Sequence, residues 1–283
     1  MKILKIITSS IFFLFICLHG RLSHAEQNNN ICSAALAKAN VQYKTNNNYY
    51  SNGIFVVSSK GSFFYNAPDN NCIINNLFII ANDQVYVYKT YDEFAYIGFF
   101  NDKGRLFTGW VKQDTLNKLS MEFMPTSKKL NLSDFLIKNK DGILGVNFLW
   151  TSAEKSIKQE ELSNSYIGDF PNNSGGLYKY NQHDYSSFSI ISSNYGYDEK
   201  QLDIDDEYII SSITLESDDY QTIRGVKVGD AMNTILEKYN NIPYKKTSNS
   251  IEYTFGNMIL DFEIENSKIK SISINIGDYK MVK

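Results

Sequence analysis

The sequence predicts a mainly β, α+β protein: an N-terminal antiparallel barrel followed by an α+β domain that ends in an antiparallel meander. Three observations support this fold class. Short β-branched and aromatic runs, separated by turn residues, fill residues 49–117. The strongest helical pattern lies between Gly229 and Pro243, and three runs of alternating apolar and polar residues follow it.

The first 25 residues have the organisation of a cleavable secretory signal. Lys2 and Lys5 precede an apolar run, and Ser23-His24-Ala25 provides the small residues of a cleavage site. The apolar run is shorter than the ~20 residues that cross a bilayer, and no later stretch approaches that length. We therefore expect cleavage after Ala25, a periplasmic mature protein and no membrane span.

The mature chain is acidic. Cleavage removes three of the 28 basic residues and none of the 31 acidic residues, and the remaining charges are scattered. Nucleic acids require clustered Lys and Arg side chains that release counterions from the phosphates. We therefore expect no nucleic-acid partner.

Two cysteines remain after cleavage, Cys32 and Cys72. An even count in an oxidising compartment favours a single disulfide between them. The bond would close a loop of about 40 residues and contribute on the order of 4 kcal/mol in the chain-entropy model. It would tie the N-terminal segment 26–48 to the first folded module.

Residues 49–117 are predicted to form the barrel, and Gly104 supplies the left-handed position of one hairpin turn. Before the barrel, the Ala and Leu content of Ile31–Val41 predicts a short helix. The predicted strands cover residues 53–57, 62–65, 77–80, 85–88, 95–100 and 109–111.

Residues 118–130 are predicted to be a linker, and residues 131–283 an α+β domain. A first helix is expected near 153–162. A second should begin at Asp230 as an acidic N-cap and bury one face, formed by Met232, Ile235, Leu236 and Tyr239. The predicted strands cover residues 177–180, 188–191, 208–215, 250–255, 258–264 and 268–276.

The mature chain has one histidine, His183, because the other two leave with the signal. One histidine and two paired cysteines cannot form a His/Cys zinc site, and a Ser–His–Asp triad would have to use His183. The segment 181–184 is polar and lacks a nucleophile elbow, so we expect an exposed loop histidine. The sequence thus predicts no enzyme, no metal site and no cofactor.

Two acidic clusters leave one enzymatic alternative open. Residues 203–207 and 216–219 could supply the paired carboxyls of a glycosidase. The first cluster lacks the ligand spacing of a calcium loop. We interpret both clusters as solvated strand ends, and a carboxylate-dependent glycosidase remains the second alternative function.

The aromatic content of residues 49–111 indicates recognition. There are more aromatic side chains than strand alternation would bury, so some should line an exposed face. We expect Phe99 and Trp110 in the core. Tyrosine offers a large contact area at low entropic cost, and we predict Tyr88, Tyr91 and Tyr96 as binding residues.

Residues 62–111 resemble bacterial SH3-like envelope modules. Those modules share a closing G-W-V strand after a tight hairpin, here Gly109-Trp110-Val111. An exported variety carries F-Y-S-A-P-D followed by Cys, matched here by residues 64–69 and Cys72, with Asn66 in place of Ser. The resemblance implies an SH3-like barrel whose ligand is peptidoglycan, a peptide or a protein.

The segment Thr222–Asp230, the helix after it and the final meander look like the helix-plus-meander units of periplasmic proteins related to the outer-membrane assembly lipoprotein BamE. Pairs of such modules are also similar to periplasmic immunity proteins that neutralise cell-wall-targeting toxins. The resemblance implies a non-catalytic protein that binds a toxin or a cell-wall enzyme. The first alternative is an envelope module that binds peptidoglycan directly.

Overall fold

The computed structural model describes residues 29–41, 53–58, 60–125, 128–171, 177–194 and 208–277. The predicted signal (1–25) and the first acidic cluster (203–207) lie outside the described residues. The described chain is mainly β, as predicted, and every strand pairing is antiparallel. The described residues include no helix long and apolar enough to cross a membrane.

The first half of the chain forms helix α1 (residues 29–41) and a curled seven-stranded sheet in the order β3-β2-β6-β5-β4-β1-β7. One side of this sheet encloses an apolar core that includes Phe64, Val85, Ile97 and Val111. The strands are β1 (Ile54–Val57), β2 (Ser62–Tyr65), β3 (Ile73–Ile79), β4 (Gln84–Tyr91), β5 (Phe94–Phe100), β6 (Leu106–Lys112) and β7 (Leu116–Lys118).

The second half forms two further sheets and two helices. The small sheet, β14-β8-β9, contains β8 (Leu136–Lys138), β9 (Ile143–Gly145) and β14 (Gln221–Thr222). The eight-stranded sheet has the order β10-β11-β12-β13-β18-β17-β16-β15. Its strands are β10 (Ser163–Pro171), β11 (Leu177–Asp184), β12 (Phe188–Ser193), β13 (Ile209–Leu215), β15 (Lys245–Lys246), β16 (Ser250–Phe255), β17 (Met258–Glu265) and β18 (Lys268–Ile276).

The two helices of this half differ in detail from the sequence prediction. Helix α2 covers Trp150–Ser156 and therefore begins and ends earlier than the predicted 153–162. Helix α3 covers Met232–Lys238, and its N-cap is Ala231 instead of Asp230. The Asp230 carboxylate accepts a hydrogen bond from the backbone N–H of Lys227 (3.0 Å), so it closes the turn before the helix.

The sheets of the two halves share one apolar core. Tyr86 and Phe100 of the first sheet belong to the same buried cluster as Tyr253 and Met258 of the second. Contacts between them include the rings of Phe100 and Phe255, 6.0 Å apart, and the Tyr86 Oη–Met258 Sδ pair at 3.5 Å. The segment 118–130, which we predicted as a linker, adds Leu119, Phe123 and Leu130 to this core.

Two glycines allow a close approach of the two halves. Gly104 has φ +68°, as predicted for a left-handed turn position, and it lies against Gly256, which has φ +62°. A Cβ at Gly104 would lie 2.5 Å from the Gly256 Cα. A side chain at this position would therefore push the two sheets apart.

A buried 3₁₀ turn, Leu132–Phe135, joins these parts. Gln84 of β4 accepts a hydrogen bond from the Ser133 N–H (2.8 Å) and donates one to the Ser133 hydroxyl (3.2 Å). Asp134 pairs with Arg224 through two bonds, Nε–Oδ1 at 2.5 Å and Nη2–Oδ2 at 3.3 Å. Both charged side chains are buried, so each depends on the other for charge neutralisation.

We expect Arg224→Ala to lower the free energy of unfolding by about 3–5 kcal/mol, because it leaves the Asp134 carboxylate buried without its cation. Urea denaturation provides the measurement. Lys227→Ala is the control, since it breaks the exposed Lys227–Asp218 pair (3.1 Å) and should cost less than about 1 kcal/mol. Equal effects of the two substitutions would contradict the role given to Arg224.

Candidate binding surface

The outer side of the seven-stranded sheet is aromatic. One row of neighbouring side chains crosses the five strands β3, β2, β6, β5 and β4. Its members are paired in register as Ile73–Tyr65, Tyr65–Trp110, Trp110–Tyr96 and Tyr96–Lys89. The rings of Tyr96 and Trp110 are 5.4 Å apart. Aromatic pairs on neighbouring strands stabilise a sheet, and a continuous row of them also offers a contact surface.

The three tyrosines predicted to bind lie on or beside this row. Tyr96 is part of it, and the ring of Tyr88 is 6.2 Å from that of Tyr96. Tyr88 packs over Gly98, where a Cβ would lie 2.5 Å from the Tyr88 hydroxyl, so the glycine creates the space for this ring. Tyr91 is the last residue of β4 and pairs with Phe94. All three tyrosines are half-buried.

Helix α1 accounts for part of this burial. Ala39 of the helix is buried in a cluster with Tyr65, Phe94 and Trp110, and Tyr91 and Tyr96 pack against the same cluster. The predicted disulfide is present: Cys32 in the helix is bonded to Cys72, which precedes β3. The disulfide therefore fastens the helix beside the aromatic row.

Lys89 is buried at the end of the row. Its Nζ donates a hydrogen bond to Asn40 Oδ1 of helix α1 (3.1 Å) and lies 5.5 Å from the ring centre of Tyr96 and 5.3 Å from that of Trp110. Burial disfavours the charged amine and lowers its pKa from the usual 10.5 to about 8. The two rings offset part of this desolvation through cation–π contacts.

The more exposed aromatic residues of this sheet are two phenylalanines that the sequence reasoning missed. Phe63 of β2 and Phe78 of β3 are directly opposite each other, 49% and 55% exposed, with ring centres 6.2 Å apart. Ile80, also exposed, lies two residues beyond Phe78. Strand alternation contained a signal for them, because Phe64 faces the inner core and its neighbour Phe63 must face outward.

The expectation that Trp110 is core is confirmed, and Phe99 packs partly buried against the inner core.

The prediction that His183 is an exposed loop residue was wrong. His183 lies on β11, is buried, and stacks on Trp150 with ring centres 3.9 Å apart. Its Nε2 is 2.8 Å from Ser192 Oγ, and its Nδ1 is 2.6 Å from Glu161 Oε1. The polar segment 181–184 misled the sequence reasoning because its residues form a strand whose His side chain points inward.

These three side chains have the connectivity of a Ser–His–acid triad, but the serine is inaccessible. Ser192 is 1% exposed on a strand paired on both sides, so a substrate carbonyl cannot reach its Oγ. A structural role for His183 fits the burial better. Each ring nitrogen of His183 has a partner, which satisfies the polar atoms of an imidazole placed in an apolar layer.

The described acidic cluster consists of solvated strand-end residues, as expected. Asp218 and Asp219 are exposed, and Asp218 pairs with Lys227. No group of three or more potential metal ligands is present among the described residues.

Comparison of the chain with protein-family models, with curated proteins and with solved structures finds no match.

Lys89 should give the protein a measurable pH dependence. Its pKa is lower in the folded chain (about 8) than the usual 10.5, so between these pH values the unfolded chain holds more protons. The free energy of unfolding should therefore rise from about pH 8 towards about pH 10. Urea denaturation at a series of pH values should show a smaller rise for Lys89→Met than for the wild type. Lys60→Met, which removes an exposed amine, is the control and should keep the wild-type slope.

The disulfide should keep Trp110 covered. The chain has two tryptophans, so a Trp150→Phe background isolates the Trp110 emission. In that background, replacing Cys32 and Cys72 with serine should shift the emission to longer wavelength and increase acrylamide quenching, because helix α1 loses its covalent attachment. The parent background with the disulfide intact is the control. Unchanged emission would mean that the packing of Ala39 and the Lys89–Asn40 hydrogen bond hold the helix without the disulfide.

Proposed function

We propose that the mature chain is a periplasmic, non-catalytic binding protein that neutralises a protein partner, either a toxin or an enzyme that acts on the cell wall. In this proposal the seven-stranded sheet is an SH3-like barrel and provides the recognition surface. The observation that supports it best is the exposed Phe63–Phe78 pair with Ile80 beside it. Apolar patches of this kind on a soluble chain are typical of protein interfaces.

The geometry of the pair favours a protein over a sugar chain. The Phe63 and Phe78 rings are inclined at 68°, edge to face. They therefore do not form one flat platform on which a sugar ring could stack. The neighbouring Ile80 extends the patch with an aliphatic side chain, which suits an apolar anchor from a protein partner. Peptidoglycan binding would have to use the half-buried tyrosines instead.

Tyr88, Tyr91 and Tyr96 extend the proposed surface inward from the two phenylalanines. They lie on the same outer side of the sheet, and their half-buried rings are fixed by neighbouring side chains. Rigid aromatic side chains bind at low entropic cost. Because part of each ring is already covered, we expect each tyrosine to contribute less to binding than either phenylalanine.

The non-catalytic part of the proposal is supported by the burial of Ser192. His183 is the single histidine of the mature chain, and its hydroxyl partner has no access to a substrate. The carboxylates of Asp218 and Asp219 are exposed at a strand end, and Asp218 pairs with Lys227. A glycosidase would require two carboxyls facing each other across bound sugar.

The test begins with a pull-down from envelope extract, run beside sedimentation with purified cell-wall sacculi, using the mature protein. We expect capture of a defined protein and no sedimentation with sacculi. With the purified partner, Phe78→Ala should weaken binding by about 2 kcal/mol, close to thirtyfold. Tyr91→Ala should have a smaller effect in the same direction. Tyr244→Ala, which changes an exposed aromatic residue (47%) just before β15, is the control.

Two outcomes would count against the proposal. Sedimentation with sacculi that is lost in Tyr88→Ala and retained in Phe78→Ala would favour the peptidoglycan-binding module. Binding that collapses with modest added salt and with neutralisation of Asp218 and Asp219, but survives Phe78→Ala, would indicate a basic partner held by the second half of the chain.

A further inference from the structure

The two large sheets have four edge strands, and three of them are short or distorted. β7 has three residues and ends in Lys118, and β15 consists of two lysines. β3 is distorted in its middle. Between the flanking pairs Phe63–Phe78 and Tyr65–Ile73, β2 has one residue, Phe64, whereas β3 has four, Ile74–Leu77. Within these four, Asn76 has φ +64°. Short length, lysines and bulges are the features that prevent an edge from pairing with another chain.

The fourth edge, β10, is long and has no lysine, although it also contains one irregularity, between Tyr166 and Gly168. It has nine residues, contains no Lys or Arg, and pairs only with β11 among the described strands. Apolar side chains on and just before it are 42–65% exposed; they are Leu162, Tyr166, Ile167 and Phe170. The irregularity between Tyr166 and Gly168 bends the strand, and Pro171 limits pairing only at its last residue. A long edge with exposed apolar side chains and no lysine is a site for strand pairing when it is left open.

We propose that β10 pairs antiparallel with β10 of a second copy of this chain, across a two-fold axis near Tyr166 and Ile167. Such an isologous contact is the commonest way in which identical chains associate. It would join two eight-stranded sheets edge to edge. The backbone hydrogen bonds along the regular parts of β10, a strand about 30 Å long at ~3.4 Å per residue, would supply the attraction.

The charge pattern of β10 permits this self-pairing. Asp169 is the only charged residue of the strand, and it lies near one end. With the axis near Tyr166 and Ile167, Asp169 of each copy faces the neutral residues around Asn164 of the other. The Tyr166 hydroxyl also donates a hydrogen bond to the Asp169 carboxylate within the same strand. No like charges are therefore opposed across the axis.

The experiment measures the molar mass of the mature, disulfide-bonded protein by light scattering coupled to size-exclusion chromatography. A single strand pair is at the small end of stable interfaces, so we expect a dimer at ~100 µM that dissociates at ~1 µM. Ile167→Lys and Ile167→Glu should each give the mass of one chain, because like charges meet near the axis. An equimolar mixture of the two variants should restore the dimer.

Phe63→Lys is the matched control, since it places a lysine at a comparably exposed apolar position of the other sheet. It should remain dimeric. A monomeric wild type at ~100 µM would overturn the proposal, and so would a dimer that survives Ile167→Lys or is lost in Phe63→Lys. Failure of the mixed variants to associate would exclude the two-fold arrangement. Circular dichroism confirms that each variant is folded.

Discussion

The buried pair of Asp134 and Arg224 is the interaction on which the arrangement of the chain depends. Asp134 also accepts a hydrogen bond from the Asn131 N–H, and the Arg224 guanidinium lies 5.1 Å from the ring centre of Tyr239 at the end of α3. The neighbouring Ser133 is held by Gln84 of the first sheet. One turn therefore connects the first sheet, the small sheet and helix α3. Because a buried carboxylate without its cation is costly, the pair stabilises these parts against separation.

This connection explains why the aromatic side of the first sheet is only partly exposed. The shared core covers Tyr86 and Phe100 at one end of that side, and helix α1 covers Trp110 and Phe94 near the other. The aromatic side chains left most exposed on the outer side, Phe63 of β2 and Phe78 of β3, belong to neither of these buried clusters. The exposure of the two phenylalanines, on which the proposed recognition rests, thus follows from where the rest of the chain packs.

The sequence predicted the local structure better than the placement of side chains. Turn glycines and runs of alternating apolar and polar residues predicted the first six strands and the final meander, because both patterns depend only on residues close together in sequence. The disulfide followed from a count of two cysteines. Exposure was harder to predict. His183 and the tyrosines are polar enough to suggest exposure to solvent. His183 is instead covered by α2, Tyr91 and Tyr96 pack against the cluster that includes a residue of α1, and Tyr88 packs against the shared core. Such coverage depends on contacts between residues far apart in sequence.

The two proposed surfaces belong to different sheets, and this separation has a functional consequence. Pairing through β10 uses the edge of the eight-stranded sheet and leaves Phe63 and Phe78 on the seven-stranded sheet free. A dimer would therefore present two copies of the recognition surface in a fixed relation. A partner that is itself dimeric, or is anchored in repeated copies at the cell wall, would then engage both surfaces. Once the first surface is occupied, the second copy of the partner is present at a high effective concentration near the second surface. A modest affinity per phenylalanine patch would suffice for stable neutralisation.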